Sequence, residues 1–246
     1  MNLLGKGFWN RHTDTLLHWA MACYGGFAGL FSIVLHEEVF ANAVTGNLMA
    51  LTRNLVGHDF FTVGLRILAT LIFALGAVVV YLLDTYSSVD VRRFSIILNA
   101  ACISLSILLT PRCNAIIALY PMFFAATVQW TAFGKVEGYA SSTLFCSNNT
   151  KQAAVGFAQF CIGHEKAMLW KAIIYAGSVV AYVVGGVAAV LCVNRYGAVG
   201  AIGAYALLSG AMVLHQIRCV KEHQETLRLA ALAQAKELAQ TQEFVA

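Results

Sequence analysis

"FANAVTGNLMALTRN", residues 40–54, puts three Asn, two Thr, a Gly and an Arg directly after the first long apolar stretch of the chain. The fold turns on what this segment does: cross a membrane, lie along its surface, or turn back inside it. Working outward, "MACYGGFAGLFSIVL" (21–35) lies before it and "FFTVGLRILATLIFALGAVVVYLL" (60–83) after it. The surroundings are hydrocarbon-like. Of the 246 residues, 59% are hydrophobic and 11% charged, with a mean hydropathy of +0.71. An ordinary soluble domain carries about 25% charged residues. Several runs reach the roughly 20 apolar residues that cross a bilayer core. The composition therefore excludes a soluble globule and indicates an all-α, polytopic membrane bundle.

Six segments qualify as spans on apolar length: about 15–35, 62–83, 94–110, 114–133, 168–192 and 197–217. Two further stretches, about 40–57 and 139–163, are polar and short; they are expected to be helices that either re-enter or cross. Neither Pro111 nor Pro121 sits in a linker, so residues 1–217 are expected to form one membrane domain. Residues 218–246 are mixed in charge, with Leu227, Ala231, Gln234 and Leu238 on one helical stripe. This tail is expected to be a cytoplasmic amphipathic helix, with self-association into a homo-oligomer as one use of its stripe. The start, "MNLLGKGFWNRHTDTLLHW", has no compact apolar core before a small-residue cleavage site and reads as a cytoplasmic lead-in.

Lys and Arg are retained on the cytoplasmic side of short loops. With six crossings, twelve of the sixteen fall on one side and only Arg53, Arg66, Arg112 and Arg195 on the other, which puts both termini in the cytoplasm. Eight crossings give another twelve-to-four split with different members. The charges fix the ends and leave the middle open.

The second half of the chain echoes the first. "EVFANAVTGN" (Glu38–Asn47) aligns with "EGYASSTLFCSNN" (Glu137–Asn149), and "GHD" (Gly57–Asp59) with "GHE" (Gly163–Glu165); a cation, Arg66 or Lys171, follows each. The offset grows from 99 to 102 to 106 residues, in steps of about one helical turn that would preserve facing. This predicts two pseudo-symmetric halves, about 15–110 and 114–217. Three crossings per half would invert one against the other, a build that recurs among secondary transporters.

Polar groups at membrane depth must face protein or a water-filled cavity, because lipid offers them no partner. Thr45, Gly46 and Asn47 suit a helix start that presents partial positive charge to a polar or anionic guest, and Ser147, Asn148, Asn149 and Thr150 would do the same from the second half. Arg53, Arg66 and Lys171 would draw such a solute in. Glu38 and Glu137 sit at matched span ends, where proton coupling is conceivable and simple solvation is the plainer use. His58 and His164, each beside an acid, suit connector capping. The alternative for both polar segments is interfacial helices whose Arg53 and Lys151 snorkel to headgroups. Gln129, deep in the fourth span, needs hydrogen-bond partners, and the glycines at 25–29 and 185–186 suit close helix crossing.

Seven scattered Cys form no CxxC pair, and "HEEVF" at His36 is not HExxH, so no metal or cofactor is expected. No nucleophile and base pairing marks an enzyme, and no nucleic-acid partner is expected.

Taken together, "VTGNL" after "YGGFAGLFS", its second copy, and "QWTAFGKVEGYASSTLFCSNNTKQ" resemble the YoaK family of small bacterial inner-membrane proteins, over nearly the whole chain to about residue 220. The resemblance implies a multi-pass inner-membrane protein and brings no catalytic residues. One departure is that the second-half word reads SNN followed by Lys151, so the two half-sites need not bind the same group. The reading is thus a transporter or channel for a small solute in the lipid bilayer. Its rival is a non-transporting membrane module that binds a partner or lipid through the tail.

Overall fold

The computed structural model describes residues 12–36 and 39–245. Nine α-helices appear among them: α1 (Thr13–Leu35), α2 (Val44–Val56), α3 (Phe60–Tyr86), α4 (Val91–Leu109), α5 (Ala115–Ala118), α6 (Tyr120–Ala132), α7 (Cys146–Gly163), α8 (Lys166–Tyr196) and α9 (Gly203–Val245). A two-residue hairpin, β1 (Lys135–Val136) with β2 (Tyr139–Ala140), separates α6 from α7. Glu137 and Gly138 form its turn, both at positive φ.

Among the described residues, four stretches are long and apolar enough to cross a membrane: Thr13–Leu35, Phe60–Tyr86, Val91–Leu109 and Lys166–Leu232. The last contains α8 and the part of α9 up to Leu232. Gly197, at φ +61, ends α8, and a 3-10 turn (Gly197–Ile202) follows. A Cβ added to Gly200 would stand 2.3 Å from the Cys192 carbonyl oxygen. Eight residues of straight helix would put about 12 Å between those positions. The chain therefore doubles back here, and α9 returns along α1: Gly203 lies beside Phe27, while Arg218 reaches Asp14.

One expectation needs correction. The stretch expected to span 114–133 is not one helix: α5 and α6 are separated at Leu119, and Pro121 stands in the first turn of α6. Proline lacks the N–H a helix interior needs and is tolerated in a first turn, so it starts a helix here. Helix α9 runs unbroken through residue 217 into the tail.

The helices pack in register-defined pairs. Trp19 Nε1 donates to the Ile174 carbonyl and Leu30 packs at Gly186, so α1 and α8 run parallel. Glycines set that crossing: a Cβ on Gly26 would lie 1.9 Å from the Tyr182 carbonyl oxygen, and one on Gly185 would lie 1.7 Å from that of Cys23. Only backbones without side chains can meet this closely. Similarly, Tyr120 bonds the Leu65 carbonyl and Gly76 lies against Phe124, so α3 and α6 also run parallel. Further packing joins α1 to α9, α4 to α6 and α9, α2 to α3, and α7 to α8.

Phe27 and Phe31 of α1, Phe123 of α6, Ile103 of α4 and Leu208 of α9 meet in the core. Leu71 and Leu75 of α3 and Val183, Val187 and Leu191 of α8 face outward. Apolar spans that expose aliphatic side chains mark an integral membrane protein, because hydrocarbon is the solvent in which such a surface is stable.

One end of the bundle gathers the start of α1, the end of α3 and the start of α4, where Arg92 pairs with Asp14. The opposite end gathers His36, which bonds Thr110, and the start of α3 with Arg66.

Candidate functional site

Two segments leave opposite ends of the bundle and fold back to the same depth. After α1 ends at His36, the chain returns until Asn42 Nδ2 donates to the Gly25 carbonyl at 2.7 Å, and α2 then runs back out to the Arg66 end. After α6 and the hairpin, the chain descends from the Arg92 end until Thr143 reaches the same glycine, whose missing Cβ would lie 2.2 Å from the Thr143 carbonyl oxygen. From there α7 runs back out to the Arg92 end. Gly25 is where the two tips meet. Gln129 completes the junction by donating to the Met21 carbonyl and to Thr143 Oγ1, both at 3.0 Å.

Each turn is held by one asparagine. Asn47 Nδ2 donates to the carbonyls of Phe40 (2.7 Å) and Ala43 (2.8 Å). Asn149 Nδ2 donates to the Ser142 carbonyl at 2.7 Å, while its Oδ1 accepts from Ser142 N and Ser141 Oγ, both at 3.2 Å. A carboxamide can serve both donor-poor and acceptor-poor backbone in a dry interior, which a purely apolar or purely anionic side chain cannot. The two halves differ at the carbonyl end of the amide. Asn47 Oδ1 accepts from Arg66 Nη1 at 3.4 Å, and Arg66 Nε donates to Asn54 Oδ1 at 3.1 Å. At the corresponding offset of 106 residues the second half has Ala172, packed on Gly156.

The two tips line one cavity of about 680 Å³. Ala43, Val44 and Thr45 enter it from the first half and Phe145, Cys146 and Ser147 from the second, with walls of Phe40, Phe73, Trp130, Leu144 and Tyr182. Phe145 meets Trp130 edge-on at 5.0 Å, and Phe73 lies 6.4 Å from Trp130. No side-chain cap bonds the first turn of α2 or of α7. The orphan N–H groups of both helices, with the positive ends of both dipoles, therefore belong to the cavity region.

The residues singled out from sequence divide accordingly. Thr45 and Ser147 line the cavity. Asn47 and Asn149 are buried and engaged with their own loops. Gly46, Asn148, Thr150 and Arg53 are exposed, Arg66 is buried against Asn47 and Asn54, and Lys171 is half-buried on α8; none of these lines the cavity. Glu38 lies outside the described residues. Glu137 accepts from Thr15, from Trp170 Nε1 at 2.7 Å and from His12 at 3.0 Å, so it clamps the hairpin to α1 and α8. Burial pushes the Glu137 carboxyl up, but the bonds from Thr15, Trp170 and His12 outweigh it and hold the group below its ordinary value. His58 and His164 occupy equivalent left-handed positions, φ 58 and 53, that close α2 and α7.

Sequence reasoning missed the aromatic wall. Aromatic residues in apolar spans are too common for Phe73, Trp130 or Tyr182 to stand out before the helices are placed.

A family model matches residues 17–215. The chain belongs to the DUF1275 family. That family is described as protein of unknown function. The DUF1275 match begins within α1 and ends at His215, so it takes in both tips, the Gly25 junction and the cavity. No curated protein and no solved structure matches this DUF1275 chain.

Proposed function

We propose that this protein is a transporter or channel for a small polar or anionic solute, built from two inverted halves that together cross the membrane six times. The observation that carries the reading is the convergence of two oppositely directed re-entrant helices, α2 and α7, whose first turns line one cavity. Helix starts at membrane depth offer unpaired N–H groups without the desolvation cost of a buried cation. The aromatic wall adds an apolar surface against which a guest can lose its water.

The packing supports two halves. Exchanging α1 with α5–α6, α2 with α7, α3 with α8 and α4 with α9 turns each principal contact into another: α1–α8 into α6–α3, α1–α9 into α6–α4, and α2–α3 into α7–α8, while α4–α9 maps onto itself. α1 starts at the Arg92 end and α6 at the Arg66 end, as inversion requires. The Arg92 end carries Arg92, Lys135 and Arg218 beside Asp14 and Glu137, and the Arg66 end is sparser in cations. In this reading the Arg92 end is cytoplasmic, both termini lie on that side, and the membrane is the bacterial inner membrane of the YoaK resemblance. The reading includes no catalytic step and no nucleic acid.

The non-transporting alternative draws on the distal part of α9, where Leu227, Leu229 and Leu232 are exposed. It makes this part of α9 the contact surface for a partner or lipid.

The test is solute flux into vesicles containing the purified protein, with a panel of small carboxylates, inorganic anions and neutral polar solutes. Thr45→Trp and Ser147→Trp fill the cavity from either half. Flux of at least one panel member that both variants abolish supports the reading. Flux unaffected by both overturns it, and no flux of any panel member, with partner or lipid binding that is lost on deleting residues after 219, favours the alternative.

A further inference from the structure

The end of the bundle opposite Arg66 holds three groups that the cavity does not use. Asp90 caps α4 with one carboxylate oxygen, Oδ1, which accepts from the N–H groups of Arg92 (3.0 Å) and Arg93 (3.1 Å). Its other oxygen, Oδ2, turns to α9, where it lies 2.7 Å from His215 Nε2 and 3.9 Å from Cys219 Sγ. The triangle closes at 3.5 Å between Cys219 Sγ and His215 Nε2. All three atoms lie within 4.8 Å of one another.

We propose that Asp90, His215 and Cys219 form a binding site for a divalent transition metal, zinc above all, that staples α9 to the start of α4.

The donor set fits that ion. One imidazole nitrogen, one thiolate and one carboxylate oxygen match a borderline-soft cation and suit calcium or magnesium poorly, since those prefer all-oxygen ligation. Zinc bonds of about 2.0–2.3 Å in a tetrahedron place ligand atoms roughly 3.3–3.7 Å apart. Two sides of the triangle, at 3.5 and 3.9 Å, already stand near that spacing. The third, at 2.7 Å, is a hydrogen bond that widens when a metal replaces the shared proton.

His215 and Cys219 are four residues apart on one helix, so their side chains project from one face. Asp90 is fixed by its own cap. The site is thus organised by two elements that the fold holds independently. His215 is 1% exposed and its Nδ1 has no partner, so the ring is kept in place by packing and by Asp90.

The charges also balance. Zinc contributes two positive charges, against one negative charge each from the Asp90 carboxylate and the Cys219 thiolate, with a neutral imidazole. On binding, the Cys219 S–H proton leaves to solvent, and the Nε2 proton shifts to Nδ1 of a neutral ring or leaves to solvent from a protonated one, so that a neutral imidazole binds in either case. The guanidinium groups of Arg92 and Arg218 are both turned onto Asp14, and Arg218 also holds Glu222 at 2.7 Å. Three protein ligands leave one tetrahedral position for water or an exogenous ligand.

The test uses the full-length protein in detergent, reduced and stripped with chelator, titrated with cobalt as the spectroscopic stand-in and then with zinc. The expected result is one equivalent of cobalt giving a thiolate-to-metal charge-transfer band, displaced by zinc. Cys219→Ser should abolish the band. His215→Ala should weaken binding at least about 100-fold, more than loss of an outer-sphere partner costs. Cys113 and Cys161 are the exposed thiols and serve as controls: Cys113→Ser and Cys161→Ser should leave the band intact. If His215→Ala does not fold, Cys219→Ser decides alone, because it changes one atom at a half-buried position. Absence of the band in the wild-type protein overturns the proposal, as does a band that survives Cys219→Ser or a cobalt affinity that His215→Ala leaves unchanged.

Discussion

Asn47 reaches back seven residues to the carbonyl of Phe40 at 2.7 Å. Asn149 reaches back the same seven residues to Ser142 at the same distance. These bonds fix the points at which two chains reverse direction beside Gly25, and so place both helix starts at the cavity.

Removing either amide should loosen its tip. Asn47→Ala leaves the Phe40 and Ala43 carbonyls without this donor, and an unsatisfied buried group costs about 1–3 kcal/mol. Asn47→Asp should be worse than Ala, because its second oxygen opposes both carbonyls. Thermal unfolding of detergent-solubilised variants checks the order wild type, Ala, Asp; an Asp variant as stable as the wild type contradicts it.

Glycines at crossings and glycines in open space should respond oppositely. Gly185→Ala drives a methyl group to within 1.7 Å of a backbone oxygen, so helices α1 and α8 must separate. Overpacking of this kind costs about 1–3 kcal/mol or more. Gly46→Ala meets nothing within 4 Å and lies in a helix, so stability should hold or rise by up to about 1 kcal/mol. The same unfolding measurement on both variants tests the pair.

Glu137 should make the hairpin acid-sensitive. Its folded-state pKa lies below the ordinary 4.5, so its contribution is complete above that value. That contribution is lost as pH falls through the lower folded value, when a protonated carboxyl no longer attracts His12. Amide hydrogen exchange across residues 133–145, corrected for intrinsic rates, should rise below pH 4.5 in the wild type and depend less on pH in Glu137→Gln. Equal dependence in both proteins would assign the effect elsewhere.

Cysteines at 45 and 147, in a background without native thiols, should each react singly with the same small, water-soluble reagent, and in the double variant a bulky label on one should slow labelling of the other, since both positions line one cavity. Independent labelling of the two sites contradicts a shared cavity. Cysteines at 47 and 149 should react slowly, being 3% and 1% exposed in their native form.

Much of the architecture was legible in one dimension. Apolar length located α1, α3, α4 and α8 to within a few residues, because a helix in hydrocarbon must satisfy its backbone internally over a fixed thickness. The words TGN and SNN marked the starts of α2 and α7. What they did not reveal was which way the amides point. Asn47 and Asn149 had the chemistry of a ligand site, yet each serves its own loop, and the cavity is left to Thr45, Ser147 and helix-start N–H groups. The break at Leu119 was obscured because residues on both sides of it are equally apolar.

By itself, then, the sequence determined the solvent this protein lives in, the order of its apolar helices, and the two places where polar groups interrupt them. These depend on composition and spacing along the chain, which local chemistry fixes. Only the tertiary structure decided that both interruptions fold back to Gly25, that Phe73, Trp130 and Tyr182 wall the space between them, and that Asp90 stands against a histidine and a cysteine 125 and 129 residues away. Those facts depend on which distant group satisfies each buried donor and acceptor, and that choice is made only when the helices pack.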